Sequence, residues 1–258
     1  MRILIVTVGC LFVCALSFIA IKQFGRSQVY AEYSHPMLRT EPTELAPRIF
    51  IKPAAGKLTQ ALTGDENLFL DVALTLDQKL VVLNDQITQH IRSVTYAQIE
   101  KQVVHFSEAL KMANKGERKF ILNFTENAVG THEIFLNEAK QMQLEKGQNL
   151  IVVSDYEASM RGLKELQPAL IFGTTKPEIL RLVAMESMHL IEATSLRADV
   201  VIHPLKIRGQ NFYTPDLVAE LSRRHVKIII GPIAPSELAE AQKLKPLGIV
   251  INGERSSK

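Results

Sequence analysis

Few side chains in this 258-residue chain stand where they could do chemistry. Phe69–Asp85, FLDVALTLDQKLVVLND, reads as a buried strand, a turn and a second short strand ending in the polar pair Asn84-Asp85. Asp71, where the first of these strands ends, could anchor a ligand or hydrogen-bond a neighbouring loop, and both uses suit a carboxylate there. Asn-Asp is turn chemistry, so Asp85 reads first as a turn former and second as a ligand contact. Lys52 closes an earlier apolar run; aimed at the same place, it would pair with a phosphate or with Asp71. His203, Lys206 and Arg208 follow a later apolar run. They could add anion-binding charge, although a solvated loop and a structural histidine are the ordinary outcomes.

What is missing narrows the chemistry further. Both cysteines, Cys10 and Cys14, lie in the first apolar stretch, so the remainder of the chain holds no thiol nucleophile, disulfide or cysteine-ligated metal. Ser154 has no histidine placed by motif to activate it. Neither a phosphate-cradling glycine loop nor H-E-x-x-H occurs. A net charge of +3 without a basic block, no Trp and 6% aromatics argue against a nucleic-acid partner.

The elements that must position these residues follow from the apolar pattern. Residues 3–21 carry no charge and are long enough to cross a bilayer as a helix of roughly 20 residues. An uncleaved signal anchor is the first reading of this segment (residues 1–22). A signal peptide cut after Ala31 is the second, and a lipoprotein signal at Cys10 the third. In each, the rest of the chain faces the non-cytoplasmic side, periplasmic or extracellular, and is secreted if the cut after Ala31 is made. Residues 23–47, with three prolines and no period, read as a tether. From Arg48 onward, short continuous apolar runs alternate with amphipathic segments, as in strands buried on both faces of a parallel sheet. The runs are Arg48–Lys52, Asn67–Ala73, Lys119–Phe124, Asn149–Val153, Ala169–Phe172, Asp199–Ile202, Val226–Ile230 and Gly248–Ile251. Helical periods fall at Tyr96–Ala113, His132–Glu145, Glu157–Leu166, Pro177–Glu192, Pro215–Arg224 and Ser236–Leu244. Eight strands with helices between them over residues 48–254 predict a compact α/β (β/α)8 TIM-like barrel, with a doubly wound open sheet as the alternative. Residues 255–258 are a tail.

Phe69–Asp85 also resembles the signature of the glycerophosphodiester phosphodiesterase family, E-x-D-V-x-x-T-x-D-G-x-x-V-V-x-H-D. Further similarity continues in order. SVTYAQIE, HFSEAL and FILNFTEN, the run IVVSDYEASMRGLKELQPALIFG, the segment from Ala198 to Ile230, and PLGIVINGE carry it to about Glu254. The resemblance implies a TIM-like barrel whose relatives hydrolyse phosphodiesters. They do so with a divalent cation on carboxylates from E-x-D and E-x-K, and with an acid/base pair from H-R-G and H-D.

At those positions this chain departs. Lys52-Pro53-Ala54 falls at H-R-G, Phe69 and Asp71 at E-x-D, Asn84 and Asp85 at H-D, Asn123 and Thr125 at E-x-K, and Ile251-Asn252 at the closing T-D. Only Asp71 survives as a metal ligand, and one carboxylate with amides is a poor site for Mg²⁺ or Ca²⁺. Amides do not titrate near neutral pH and cannot replace the acid and base. No cofactor is therefore expected; Mg²⁺ or Ca²⁺ would belong only to an active enzyme.

Three expectations follow. The first is a membrane-anchored, non-catalytic relative that binds a phosphorylated (phospholipid) head group or a protein partner at the old pocket. The second is a phosphodiesterase with a rebuilt site, which requires Lys52, Asp71 and His203 to converge. The third is a domain acting through its outer surface, with a mouth plugged by Phe69 and apolar neighbours.

Overall fold

The computed structural model describes residues 2–30, 35–38, 46–84, 90–113, 118–127, 130–141 and 149–253, with side chains from residue 7 onward. In chain order the elements begin with α1 (Arg2–Ser27), β1 (Arg48–Lys52), α2 (Leu58–Thr63), β2 (Asn67–Leu74), β3 (Leu80–Leu83), α3 (Tyr96–Ile99), β4 (Val103–His105), α4 (Phe106–Ala113) and β5 (Phe120–Phe124). They continue with α5 (Thr131–Gln141), β6 (Leu150–Ser154), α6 (Glu157–Leu166), β7 (Ile171–Phe172), α7 (Lys176–Ser187), β8 (Val200–His203), β9 (Lys206–Ile207), β10 (Gln210–Asn211), α8 (Pro215–Arg223), β11 (Lys227–Ile233), α9 (Leu238–Lys243) and β12 (Gly248–Asn252).

Eight strands pair side by side in the order β7-β6-β5-β2-β1-β12-β11-β8. Every pairing along this path is parallel. The ends meet: Gly173 bridges Val200 in parallel, Thr174 N–H donates to the Val200 carbonyl at 3.0 Å, and Asp199 N–H to the Phe172 carbonyl at 2.8 Å. The sheet is thus a barrel, and the open-sheet alternative falls. All eight apolar runs became barrel strands.

Closure gives each strand two buried faces, and side chains alternate between them. Phe50, Phe69, Ile121, Ile151, Ile171, Val200, Ile229 and Val250, one from each barrel strand, form the lumen core. The opposite parity packs outward under the helices. Leu68, Leu70, Leu122 and Val152 meet α2, α4, α5 and α6, while Val201, Ile230, Ile249 and Ile251 meet α7, α8 and α9. Helix starts follow local chemistry. Thr214 caps α8, its hydroxyl accepting from Leu217 N–H at 3.2 Å with Pro215 in the first turn. Arg118, 4% exposed, donates from its guanidinium to the carbonyls of Ala61, Leu62, Glu66 and Ala113 at 2.7–3.2 Å, closing the ends of α2 and α4.

The helical period at Tyr96–Ala113 is interrupted. Val103–His105 instead forms β4, antiparallel to β3, which folds back antiparallel on β2. Two adjacent β-branched residues opposite Leu83 and Val82 are better used in a ladder than in a helix turn. The helix α2 and the ribbon β9–β10 lie outside the elements expected from sequence; six and two-plus-two residues are too short to show a period.

Pro36-Met37-Leu38, inside the stretch read as a tether, forms a 3-10 turn under the barrel. Met37 and Leu38 are 1% and 3% exposed and join the lumen core from its base. His35 Nδ1 accepts the Met37 N–H at 3.1 Å, and Arg48 donates to the Met37 carbonyl. Burial holds the His35 imidazole below its ordinary pKa, in keeping with that acceptor role. The turn therefore behaves as a plug. Met37→Ala should cost about 2–5 kcal/mol in urea unfolding, as for a core methionine, whereas a solvated tether residue would change stability by less than about 0.5 kcal/mol.

Candidate functional site

The barrel register brings the family-site positions together. Asp71 lies opposite Asn123 across β2 and β5, and Lys52 opposite Asn252 across β1 and β12. Phe69, two residues before Asp71, shares its inward face, as do Ile121 with Asn123 and Phe50 with Lys52. Lys52 and Asn252 end their strands, Asn123 is the penultimate residue of β5, and Asp71 is level with Asn123, so all four lie toward the C-terminal end of the barrel, on which sites are built.

Contacts at this mouth are specific. Lys52 Nζ stands 2.8 Å from Asp71 Oδ2, and Asn123 Nδ2 donates to Asp71 Oδ1 at 2.7 Å. Each carboxylate oxygen thus has a protein partner. Below them Phe69, 5% exposed, caps the lumen core, with Lys52 Nζ 5.8 Å from its ring centroid. The Lys52 and Asp71 side chains are 21% and 15% exposed, so the pair is only partly screened by water. Asn84 fastens a loop: its Oδ1 accepts the Gly56 N–H at 2.8 Å, tying the β1–α2 loop to the end of β3.

A divalent cation does not fit this constellation. The position facing Asp71 holds an ammonium, the neighbouring amide presents its N–H₂ side, and Phe69 offers no ligand atom. Among the described residues no group of three or more His, Cys, Asp or Glu side chains is gathered for a metal.

The remaining residues expected from sequence separate. His203 has the strand parity of Val201, which faces the outer core, and not that of Val200 in the lumen. Its ring packs on Phe212 at 4.3 Å between centroids, and Nδ1 lies 2.9 Å from the Pro204 carbonyl. Burial holds its pKa below the ordinary value. A rebuilt site of Lys52, Asp71 and His203 is therefore not assembled, because alternation along β8 turns His203 to the outside. Lys206 is exposed on the β9–β10 ribbon, whose tight turn uses Arg208 and Gly209 at φ +50° and +84°. It is not part of the Lys52–Asp71–Asn123 cluster. Asp85 lies outside the described residues.

Glu126, just past β5, was not singled out by sequence reasoning. Its Oε2 is buried without a hydrogen-bond partner, and burial raises its pKa, with Arg92 acting in the opposite sense. Arg92 also donates to the Asn127 carbonyl at 2.9 Å, and Ser159 to Asn127 Oδ1 at 2.6 Å, so the β5–α5 loop is braced from two sides. The signal available was only its place: a carboxylate immediately after a barrel strand.

No protein-family model and no curated protein matches this sequence. Solved structures do match the fold. A protein from Silicibacter pomeroyi assigned as a glycerophosphoryl diester phosphodiesterase superposes with a TM-score of 0.63 at 14% identity, over 84% of this chain and 94% of that one. A glycerophosphodiester phosphodiesterase from Parabacteroides distasonis gives 0.57 at 17%, over 80% and 93%. An Oleispira antarctica phosphodiesterase, in complex with its product sn-glycerol-3-phosphate, gives 0.57 at 15%, over 81% and 94%. At these identities the likeness establishes the fold, which is the barrel of the glycerophosphodiester phosphodiesterases.

Two outcomes test the site. A double-mutant cycle of Lys52→Ala and Asp71→Ala should return a favourable coupling of about 1–2 kcal/mol in denaturant unfolding, since each single change strands a half-buried charge. Glu126→Gln should stabilise the fold at pH 7–8. A carboxyl whose folded pKa is raised contributes stability below its ordinary pKa of about 4.5 and loses it as pH rises through the raised value. The gain from the amide should therefore vanish at or below about pH 4.5.

Proposed function

We propose that this protein is a non-catalytic, membrane-anchored relative of the glycerophosphodiester phosphodiesterases that keeps the barrel as a binding or interaction scaffold. The observation that carries this reading is the Lys52–Asp71 ion pair at 2.8 Å with Asn123 on the other carboxylate oxygen. Hydrolysing a phosphodiester requires positive charge aimed at the phosphoryl oxygens and a titratable group for the leaving alkoxide. Here the ammonium is aimed at Asp71 instead, and the amides Asn84 and Asn123 cannot exchange protons in that role. Phe69 supports the same reading, since it fills the position of a ligand with a ring that seals the core.

Anchoring rests on α1. Its apolar stretch is almost wholly exposed, with Leu11, Phe12, Val13 and Phe24 61–70% exposed. Exposed apolar surface of that extent is costly in water and favourable in hydrocarbon. We place the barrel on the non-cytoplasmic side, with α1 retained rather than cleaved, because the residues preceding Ala31 are built into the barrel base. The partner at the mouth is a phosphorylated head group or a protein.

The deciding experiment is hydrolysis of glycerophosphodiesters by the full chain with Mg²⁺ or Ca²⁺. Wild type and Asp71→Ala should both remain at the uncatalysed rate, and neither cation should raise the thermal midpoint. Turnover that needs both a divalent cation and Asp71 would reverse the reading.

A further inference from the structure

The C-terminal end of α1 is joined to the barrel through its backbone. A Cβ on Gly25 would stand 2.4 Å from the Glu192 carbonyl oxygen, so only glycine lets α1 ride directly on residues 191–193. The last carbonyls of a helix lack intrahelical donors. Here Arg223, at the end of α8, supplies them: Nη2 donates to Gly25 O at 3.2 Å, and Nη1 to Gln28 O at 2.9 Å and Arg26 O at 3.4 Å. Arg26 Nε donates to Glu192 Oε1 at 2.9 Å, and Lys22 approaches the same oxygen at 3.9 Å. Tyr30 then lies against two guanidinium groups, those of Arg223 and Arg224, at 5.2 and 5.3 Å. Arg224 is itself buried and donates to the Ile191 and Glu192 carbonyls at 3.0 Å. A cation at the negative end of the α1 dipole adds to this capping.

All of these partners belong to one end of the barrel. Glu192 precedes β8, while Arg223 and Arg224 precede β11, so they lie at the N-terminal ends of the strands. Lys52, Asp71 and Asn123 lie at the C-terminal ends. Lys22, the first charge after the apolar span, is only three residues from Gly25, roughly 5 Å along a helix.

We infer that this joint seats the base of the barrel on the bilayer and points the Lys52–Asp71 mouth away from it, so that the mouth is addressed from the aqueous phase and not by head groups of the membrane that holds α1. The inference rests on the proposed anchoring and narrows it. Of the proposed partners, that leaves a protein or a phosphorylated group that is not in the membrane holding α1. Tilted strands of five to seven residues, as in β1 and β11, put the mouth roughly 15 Å beyond the base, away from lipid phosphates beneath it.

The test uses full-length protein with Cys10→Ser and Cys14→Ser, reconstituted in phosphatidylcholine–phosphatidylglycerol vesicles that carry a head-group quencher. Reporter dyes go on Ser222→Cys at the base or on Gln210→Cys on the mouth-side ribbon, both exposed sites. The base dye should be quenched several-fold more strongly than the mouth dye. Combining Gly25→Val with Arg223→Ala, which breaks the joint but leaves residues 3–21 unaltered, should bring the two signals together. Equal quenching in the unaltered joint, or stronger quenching at Gln210, overturns the orientation while leaving the anchor in place. Failure of the protein to float with vesicles overturns the anchor, and the orientation with it.

Discussion

Closing eight parallel strands into a ring is the constraint from which the rest follows. A closed barrel has an inside as well as an outside, and in a small one side chains must fill the inside. One apolar residue per strand does so here, from Phe50 on β1 to Val250 on β12. The register needed for that packing also decides which side chains reach the mouth. Because Phe50, Phe69 and Ile121 point inward, Lys52, Asp71 and Asn123 must do so one step higher. Their contacts with one another follow from the same pairing that builds the core.

The mouth is held together by contacts among its own side chains. A carboxylate at a strand end carries a desolvation cost that a partner must offset. In the catalytic pattern that this chain resembles, the partner is a divalent cation. Here it is the ammonium of Lys52, with the amide of Asn123 completing the set. Phe69 extends the lumen core by one side chain, and Asn84 holds a loop through a backbone N–H. Each of these side chains is engaged in holding the fold.

The opposite end of the barrel is equally organised. Met37 and Leu38 close the base of the lumen, and the end of α1 docks on residues 191–193 and Arg223 at the same end of the barrel. A segment whose composition suggested only a tether therefore contributes to the core and to a joint. The two ends thus differ: one carries the docked end of α1, the other the Lys52–Asp71 pair.

The apolar runs alone determined the eight strands, their parallel character and the terminal helix, because continuous burial on two faces is written locally in consecutive side chains. The spacing around Asp71 likewise resembles the family signature, with amides and Phe69 at positions where the family carries other residues. Closure was decided only by the tertiary structure, since the Gly173–Val200 bridge joins ends that no local period connects. So was the fate of the charges. Lys52 could equally have faced a ligand, and His203 could have faced the mouth, until barrel register put one against Asp71 and strand parity turned the other onto Phe212. The strand β4 within Tyr96–Ala113, paired with β3, the plug at Met37 and the joint at Gly25 belong to the same class. Each depends on a partner distant in sequence, and side-chain type at one position does not state which partner it will meet.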